Sequence, residues 1–473
     1  MNKNKKKALS IFSLMIMNIA LIASLRGLPT MAEEGLAIVF FLIFAAIVFL
    51  IPVSLVSAEL ATGWPKEGGI YAWVKEALGE RWGFTVIWTE WLQNMVFYPT
   101  ALAATAGIVA YGFSPALAEN KLYTLLVVVA VYWGATFINL RGLKLSTIFT
   151  NVGIIAGLAV PGSILIIAGM YWVFSGQPLA IPPTFSNFIP DLSNVKTLVF
   201  LTGVFLFFSG MEVSAVHAQE VKNPKKDYPK AIFMSAIIIV SLFILGSLTI
   251  AFIIPQKEIS LTAGIMEAFD KIFSTLGIHW FVPVLGVLVA IGLVASILAW
   301  IAGPSTGILV AAKNGNLPPF FRKTNKNNVQ INILLIQGAV VTLISLVILL
   351  MPTVSSSFWV LTVLAAQLYL LVYVMMFISA IVLKYKKPKV DRPYAVPGGK
   401  LGMWITAGIG TVAAIFALAL GFFPPGQLKT GDIFLFEGFL IFGLVIVIGL
   451  PQLIYTFRKE SWIKKEKTIE INK

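Results

Sequence analysis

Long runs of apolar residues, almost free of charge, recur along the whole chain. Clear examples are the runs Gly35 to Ala58, Leu122 to Leu140, Ala231 to Ile254 and Phe281 to Ala312. Each run has the roughly 20 residues that a helix needs to cross a hydrocarbon core about 30 Å thick. Transmembrane β-strands would be about 10 residues long and would alternate apolar with polar positions, which these runs do not do. The pattern therefore predicts an all-α integral membrane protein.

The same pattern predicts twelve transmembrane helices in one transmembrane domain covering residues 1–473. The predicted spans are 9–30, 35–60, 82–113, 122–141, 147–175, 195–219, 229–254, 281–311, 331–352, 356–384, 402–422 and 433–456. The longest gaps have room only for short amphipathic or re-entrant helices, such as one over 68–81. An ATPase module does not fit, and the chain has no phosphate-binding GxxxxGK[ST] loop. Primary active transport by this chain is therefore excluded.

Composition narrows the chemistry further. The chain is 58% hydrophobic and 12% charged, whereas soluble domains carry about a quarter charged residues. It has no cysteine and only two histidines, His217 and His279. Disulfides, thiolate chemistry and a histidine-rich metal centre are therefore not expected, and no cofactor is predicted.

The net charge of +14 is distributed unevenly. If the N-terminus is cytoplasmic, the opposite face carries five lysines and Arg26 lies within a span, which leaves 29 of the 35 basic residues on the cytoplasmic face. This bias is the positive-inside pattern. It predicts a multi-pass protein of the cell membrane with both termini in the cytoplasm. The basic charge is thus attributed to topology and the lipid bilayer, and nucleic acid is not an expected partner.

Two predicted spans contain helix breakers beside polar residues. Span 1 has Ser24-Leu25-Arg26-Gly27-Leu28-Pro29, and span 6 has Phe207-Phe208-Ser209-Gly210-Met211-Glu212. Unwound segments at corresponding places in two halves of a transporter indicate its substrate site, because they expose backbone polar groups. The predicted substrate-binding residues here are Leu25, Arg26, Gly27, Phe208, Ser209, Gly210 and Met211. Two other readings stay open: Arg26 snorkels to the membrane interface, and Gly210 only allows close helix packing.

Several motifs together resemble a known family. They are Glu67-Gly68-Gly69-Ile70-Tyr71-Ala72-Trp73 with Ala77-Leu78-Gly79, Phe188-Ile189-Pro190-Asp191, Gly210-Met211-Glu212-Val213-Ser214-Ala215-Val216-His217, Glu220-Val221-Lys222-Asn223-Pro224, Asp227-Tyr228-Pro229, Trp300-Ile301-Ala302-Gly303-Pro304-Ser305 and Pro397-Gly398-Gly399-Lys400. The first is similar to the loop after span 2 in the amino acid–polyamine–organocation superfamily. The whole set, which extends over nearly the entire chain, resembles the glutamate/γ-aminobutyrate antiporters.

The resemblance implies a leucine-transporter-like fold. In that fold a five-plus-five inverted repeat, here about 9–175 and 195–384, is followed by two extra helices, here about 402–456. It also implies an antiporter that exchanges an amino acid for a related amino acid or its decarboxylated amine by alternating access. The expected state is a monomer or a homodimer. Trp300, Tyr369 and Tyr373 match aromatic positions that line the family's pocket. Their rings could attract an ammonium group through cation–π interactions.

Two departures change the charge of the implied pocket. The family's exchangers have a tyrosine and an acidic residue where this chain has Arg26 and Gly27, and a glutamate where it has Ser296. A guanidinium can bind a carboxylate through two hydrogen bonds, which favours an acidic substrate such as glutamate. Alternatively, Arg26 pairs with Glu212 or Glu90 and acts only in gating or packing.

Glu212 and Glu90 are the candidates for coupling or gating, because both carboxylates lie within predicted spans. A buried carboxylate can serve as a proton carrier, so a proton-coupled amino acid symporter remains an alternative to an antiporter. A membrane-embedded enzyme that modifies lipids is a remote alternative. It would need a cluster of histidine or acidic residues near one interface, which the sequence does not show.

Overall fold

The computed structural model describes residues 10–66, 68–142, 153, 155–190, 192–193, 195–215, 223–424 and 432–463. Within these ranges the chain is helical, and only one isolated β-bridge occurs, between Thr324 and Gln330. The α-helices are α1 Ile11–Ile22, α2 Leu28–Ala32, α3 Ile38–Ala45, α4 Ile51–Gly63, α5 Ile70–Leu78, α6 Glu80–Ala110, α7 Lys121–Leu140, α8 Val160–Phe174, α9 Val195–Leu198, α10 Phe200–Phe207, α11 Met211–Ala215, α12 Pro224–Ile253, α13 Gly264–Thr275, α14 Val282–Lys313, α15 Ile331–Ser345, α16 Val347–Leu350, α17 Val354–Lys386, α18 Gly399–Leu420 and α19 Ile433–Thr456.

In the described ranges, nine helical segments are long and apolar enough to cross a membrane. They coincide with nine of the twelve predicted spans. The described parts of the other three predicted spans are helical as well, but those within 9–30 and 195–219 are interrupted, and the one at 82–113 (α6) includes polar residues such as Gln93 and Asn94. Of the predicted spans, residues 9, 147–152, 154 and 216–219 lie outside the described residues. The all-helical membrane architecture is therefore confirmed, whereas the count of twelve and the inverted repeat stay predictions.

Two short amphipathic helices lie in the gaps between spans. In α5 the apolar side chains of Tyr71, Trp73 and Val74 are buried, as expected from the sequence of 68–81. In α13, within the gap 255–280, the apolar residues are likewise buried against the bundle. Both helices pack against the ends of the long helices, so they close the surface of the bundle rather than form a separate domain.

The two ends of the bundle differ in their buried ionisable residues. At one end, which we call the basic end, Glu59 at the end of α4 is buried between two cations. Its Oε1 accepts hydrogen bonds from Nζ of Lys384 at 2.7 Å and from Nη1 of Arg392 at 3.1 Å. Its Oε2 accepts one from the backbone N–H of Val396 at 2.7 Å. These three donors and the two oxygens of Glu59 tie the end of α4 to the end of α17 and to the segment that follows it.

The opposite end, which we call the acidic end, is lined by four carboxyl side chains from separate parts of the chain. Glu33 and Glu34 follow α2, Glu119 lies in a short 3₁₀-helix after α6, and Glu267 lies on α13. The hydrogen bond from the backbone N–H of Leu261 to Ser355 at the start of α17 places these segments away from the basic end.

Both predicted helix interruptions are present. In the first, α1 ends at Ile22, Ala23 and Ser24 are extended, and a 3₁₀ turn over Leu25–Gly27 leads into α2. In the second, α10 ends at Phe207, and Gly210 has a φ of +117° before α11 begins. A φ in this region strains any residue with a Cβ, so glycine is required at the second interruption.

Candidate substrate-binding site

The two helix interruptions contact each other in the centre of the bundle. A Cβ atom on Gly27 would lie only 2.9 Å from the ring of Phe207, and one on Gly210 would lie 3.4 Å from the ring of Trp300. Glycine at positions 27 and 210 therefore allows the first interruption, the second interruption and α14 to approach one another closely.

A small cavity of about 50 Å³ lies beside these contacts. Five of the predicted binding residues line it: Arg26, Ser209, Ser296, Trp300 and Tyr369. The remaining lining residues are Leu21, Ile22, Ala23, Ser24, Gln93, Asn94, Phe97, Ala101, Leu206, Phe207 and Leu293. The cavity thus lies between α1, α6, α10, α14 and α17.

Arg26 forms part of the cavity wall and is only 5% exposed. Its Nη1 donates a hydrogen bond to the hydroxyl of Thr100 at 2.8 Å. The guanidinium lies over two aromatic rings, with its central carbon 4.2 Å from the centroid of Phe97 and 5.1 Å from that of Phe207. These contacts fix the orientation of the guanidinium plane. In the described parts of the chain, no carboxylate pairs with its other N–H groups.

The two alternative roles weighed for Arg26 do not agree with this geometry. The guanidinium is buried in the bundle, so the residue does not snorkel to a membrane interface. It also forms no ion pair with Glu212 or Glu90, since neither carboxylate lies within 4.0 Å of it in the described chain. A buried cation without a paired carboxylate is costly unless an anion arrives to compensate it.

Glu212 is held by other partners. It is 4% exposed, and its two oxygens accept hydrogen bonds from the hydroxyls of Tyr369 and Tyr373, the latter at 2.6 Å. The hydroxyl of Tyr373 in turn accepts a hydrogen bond from the backbone N–H of Gly210 at 2.9 Å. The two tyrosine rings stack with centroids 4.9 Å apart. This network joins α17 to the second interruption directly below the cavity.

Glu90 is 8% exposed within α6, one turn before the cavity-lining Asn94. The side-chain amide of Asn94 donates to the backbone oxygen of Glu90 at 2.9 Å. The Glu90 carboxylate itself forms no hydrogen bond or ion pair with another described residue, and Glu212 is near enough to interact with it electrostatically. It is therefore a buried acid next to the site that nothing in the described chain neutralises.

The remaining predicted residues do not line the cavity. Leu25, Gly27, Phe208, Gly210, Met211 and Tyr373 are buried behind the lining residues, where they shape the two interruptions. The prediction missed the polar side chains of Gln93 and Asn94, the ring of Phe97, and Thr100, which binds Arg26. All four lie on α6, which continues through Pro99 without an interruption, so no glycine-containing break of the kind in spans 1 and 6 marks them.

A cavity where two interrupted helices meet inside an apolar helical bundle defines a membrane transporter for a small solute. The chain belongs to the amino acid permease family, whose model matches residues 9–448. This confirms the resemblance to the amino acid–polyamine–organocation superfamily that the motifs indicated. The protein is therefore a multi-pass membrane transporter and not an enzyme, and the alternative of a lipid-modifying enzyme was wrong.

Individual relatives are similar over almost the full length. An uncharacterized transporter of Legionella pneumophila is 43% identical over 464 residues, which cover 98% of this chain and 100% of the relative. A glutamate/γ-aminobutyrate antiporter of Lactococcus lactis is 35% identical over 458 residues, covering 96% of this chain and 91% of the relative. A probable agmatine/putrescine antiporter of the same species is 26% identical over 407 residues, covering 84% of each.

Proposed function

We propose that this protein is a secondary active antiporter that exchanges an acidic amino acid, such as glutamate, for a related amino acid or its decarboxylated amine. Exchange would proceed by alternating access to the cavity between the two interrupted helices. The names of the relatives support exchange, because two of the three are antiporters and one of these carries glutamate. They do not identify the substrate of this chain, so the substrate is argued from the cavity.

The observation that carries the proposal is the guanidinium of Arg26 in the cavity wall. It is oriented by Thr100 and two aromatic rings, and no carboxylate of the described chain pairs with it. An arginine in this state is suited to bind a side-chain carboxylate through two parallel hydrogen bonds. Hydrogen bonds to charged groups contribute about 1.5–3 kcal/mol each. An acidic substrate would therefore be favoured over its uncharged isostere.

Another part of the cavity wall is suited to a positive group. The rings of Trp300 and Tyr369 face the cavity, and the carboxylates of Glu90 and Glu212 lie behind them. An ammonium group is attracted by an aromatic face and by a nearby negative charge. A substrate with a carboxylate at one end and an ammonium at the other, or an amine product that lacks one carboxylate, would thus find complementary groups in one cavity.

We further propose that the basic end faces the cytoplasm, with both termini there, in the cell membrane, and that the protein acts as a monomer or homodimer. The positive-inside pattern supports this orientation. The matching interruptions in spans 1 and 6 support a five-plus-five inverted repeat over about 9–175 and 195–384, with about 402–456 as two extra helices. Alternating access would then move the helices that carry the interruptions relative to α6 and α14.

A proton-coupled symporter remains the second candidate, and Glu90 is the observation that favours it. Its buried carboxylate has no partner in the described chain, so it could take up a proton during each transport cycle. In that case Glu90→Gln would abolish uphill uptake driven by a proton gradient but would leave exchange at zero gradient intact.

The test of exchange uses purified protein in liposomes. Vesicles are loaded with glutamate, with γ-aminobutyrate or with buffer, and uptake of labelled glutamate is measured at equal pH on both sides. We expect internal amino acid or amine to accelerate uptake several-fold. An antiporter must bind an internal substrate before its site can return to the outer face. If none of a panel of amino acids and decarboxylated amines stimulates uptake, exchange is refuted. Arg141→Ala, at an exposed arginine, is the matched control for variants of Arg26.

A further inference from the structure

The four carboxyl groups of the acidic end form a cluster that substrate binding does not explain. Glu33 is 2% exposed and Glu34 is 6% exposed. One side-chain oxygen of each, Oε2 of Glu33 and Oε1 of Glu34, is buried without any hydrogen-bond partner. Buried carboxylates without partners are rare because an isolated ionised group is expensive to remove from water.

The other two members are linked to each other by one serine. The backbone N–H of Ser260 donates to Glu267 at 3.1 Å, and its hydroxyl lies 3.4 Å from Glu119. Glu267 faces Glu33, and Glu33 faces Glu34, closely enough for each carboxylate to repel the next. Segments 33–34, 119 and 267 are therefore brought into one electrostatic group.

Nothing in the described chain supplies a counter-charge within ion-pair distance of these four carboxyls. The nearby cation Lys271 on α13 donates instead to the backbone oxygen of Ile253 at 2.7 Å. The titratable groups on the neighbouring elements of the acidic end are Tyr111, Lys121, Tyr123, Lys257, Glu258, Asp270, Lys271 and His279. Lys121 at the start of α7 also donates to a backbone oxygen, that of Met351, at 2.7 Å. The described parts of the helices that pack on α2 from the other sides, α10 and the last turns of α12, have no ionisable residue.

The cluster lies at a part of the fold that must move when the cavity opens at this end. Every residue from Leu25 to Ile38 is buried, and so is every residue of α10. The segment α2 packs on α13, where a Cβ on Gly264 would lie 3.0 Å from Pro29. Glu33 and Glu34 follow α2 directly and precede Gly35, which has a φ of +54°. In this structure, then, the acidic end is closed over the cavity.

We infer that Glu33, Glu34, Glu119 and Glu267 form a proton-binding site that gates the acidic end, and that the end is closed when the site is protonated and opens when it loses protons. Two neutral carboxyls can be buried side by side, whereas two ionised ones repel each other and seek water. Separation of α2 from α13 provides that water. This inference concerns the gate alone and does not depend on which solute the protein carries.

The direction of the pH effect follows from the pKa values. Burial, with repulsion from Glu267, raises the pKa of Glu33 to about 8, and burial with repulsion from Glu33 raises that of Glu34 to about 8. Burial raises the pKa of Glu267 to about 7. When the end opens, each carboxyl returns toward its ordinary value of about 4.3. The closed state is therefore fully favoured below about pH 4 and loses stability progressively as the pH rises from there to about 8.

The test is a thiol-accessibility measurement in lipid nanodiscs, where both faces share one pH. The chain contains no cysteine, so single cysteines can be introduced without background. Thr30→Cys on α2 is the reporter, because Thr30 is 1% exposed and becomes accessible only if α2 leaves its neighbours. Ser175→Cys, at an exposed position, is the reference, and the ratio of the two labelling rates cancels the pH dependence of thiol chemistry.

We expect the ratio to rise at least about tenfold between pH 5 and pH 8.5, since one unit of pKa difference corresponds to a tenfold change in equilibrium. With Glu33→Gln, Glu34→Gln and Glu267→Gln combined, the ratio should stay at its low-pH value throughout. Glu460→Gln, an exposed carboxyl at the basic end, should behave like the parent. A parent ratio that does not change with pH overturns the inference. So does a combined variant that elutes as a monodisperse protein and still follows the parent's profile.

Discussion

Replacing Tyr373 by phenylalanine removes one hydroxyl from the contact between α17 and the second interruption. That hydroxyl accepts the backbone N–H of Gly210 and donates to the carboxylate of Glu212. The ring keeps its packing, with Phe49 at 5.1 Å and Tyr369 at 4.9 Å between centroids. A neutral hydrogen bond contributes about 0.5–1.5 kcal/mol and one to a charged group about 1.5–3 kcal/mol. We therefore expect Tyr373→Phe to cost about 2–4.5 kcal/mol of the free energy of unfolding.

The matched control is Tyr369→Phe, which loses only the hydrogen bond to Glu212 and should cost about 1.5–3 kcal/mol. Both variants are unfolded with dodecyl sulfate in mixed micelles and followed by the fluorescence of the twelve tryptophans. The Tyr373 variant should be the less stable of the two, because it alone leaves the N–H of Gly210 without an acceptor. The reasoning is refuted if Tyr373→Phe unfolds within about 0.5 kcal/mol of the parent, or if it is the more stable of the two variants.

Two further predictions concern packing. Glu59→Gln should lower stability by about 3–5 kcal/mol in the same unfolding assay, because it leaves the buried cations Lys384 and Arg392 without their counter-charge; a loss below 1 kcal/mol would contradict a buried ion pair. Gly27→Ala should cost about 1–3 kcal/mol and reduce substrate binding, because its Cβ would lie 2.9 Å from an aromatic ring. Gly134→Ala, which meets no atom within 4 Å, should be neutral or slightly stabilising, and equal effects of the two substitutions would show that the contact is irrelevant.

Much of the fold was predictable because transmembrane helices can be recognised in a sequence by the length of their apolar runs. A run of about 20 apolar residues has few alternatives in a bilayer. The interruptions were also visible, since Gly27 with Pro29 and Gly210 beside Glu212 combine helix breakers with charge. The direct contact between Gly27 and Phe207 was not predicted, because it depends on how distant helices pack.

The site was predictable only where the backbone breaks. Arg26, Ser209 and the aromatic residues were found through the interruptions and the family's motifs. Gln93 and Asn94 were missed because α6 is continuous, and a polar residue in a regular helix gives no sign of the neighbour it will face. Only the tertiary packing turns these side chains toward the cavity.

The acidic end was the least predictable part. Glu33, Glu119 and Glu267 are separated by more than 80 residues from one another, and each lies in a short segment between spans. Taken singly, each is an ordinary carboxyl of a loop. Their shared burial arises because α2, the turn after α6 and α13 meet at one end of the bundle.

The central claim is that Arg26 binds the side-chain carboxylate of an acidic amino acid. The most direct measurement is the ratio of the inhibition constants of glutamine and glutamate in competition for transport, in the parent and in Arg26→Gln. Loss of one charge-assisted interaction of about 1.5–3 kcal/mol corresponds to roughly 10- to 150-fold. We predict a preference for glutamate of at least about tenfold in the parent and in Arg141→Gln, and a ratio near one in Arg26→Gln. A variant that transports normally and keeps the parent's preference would contradict the account.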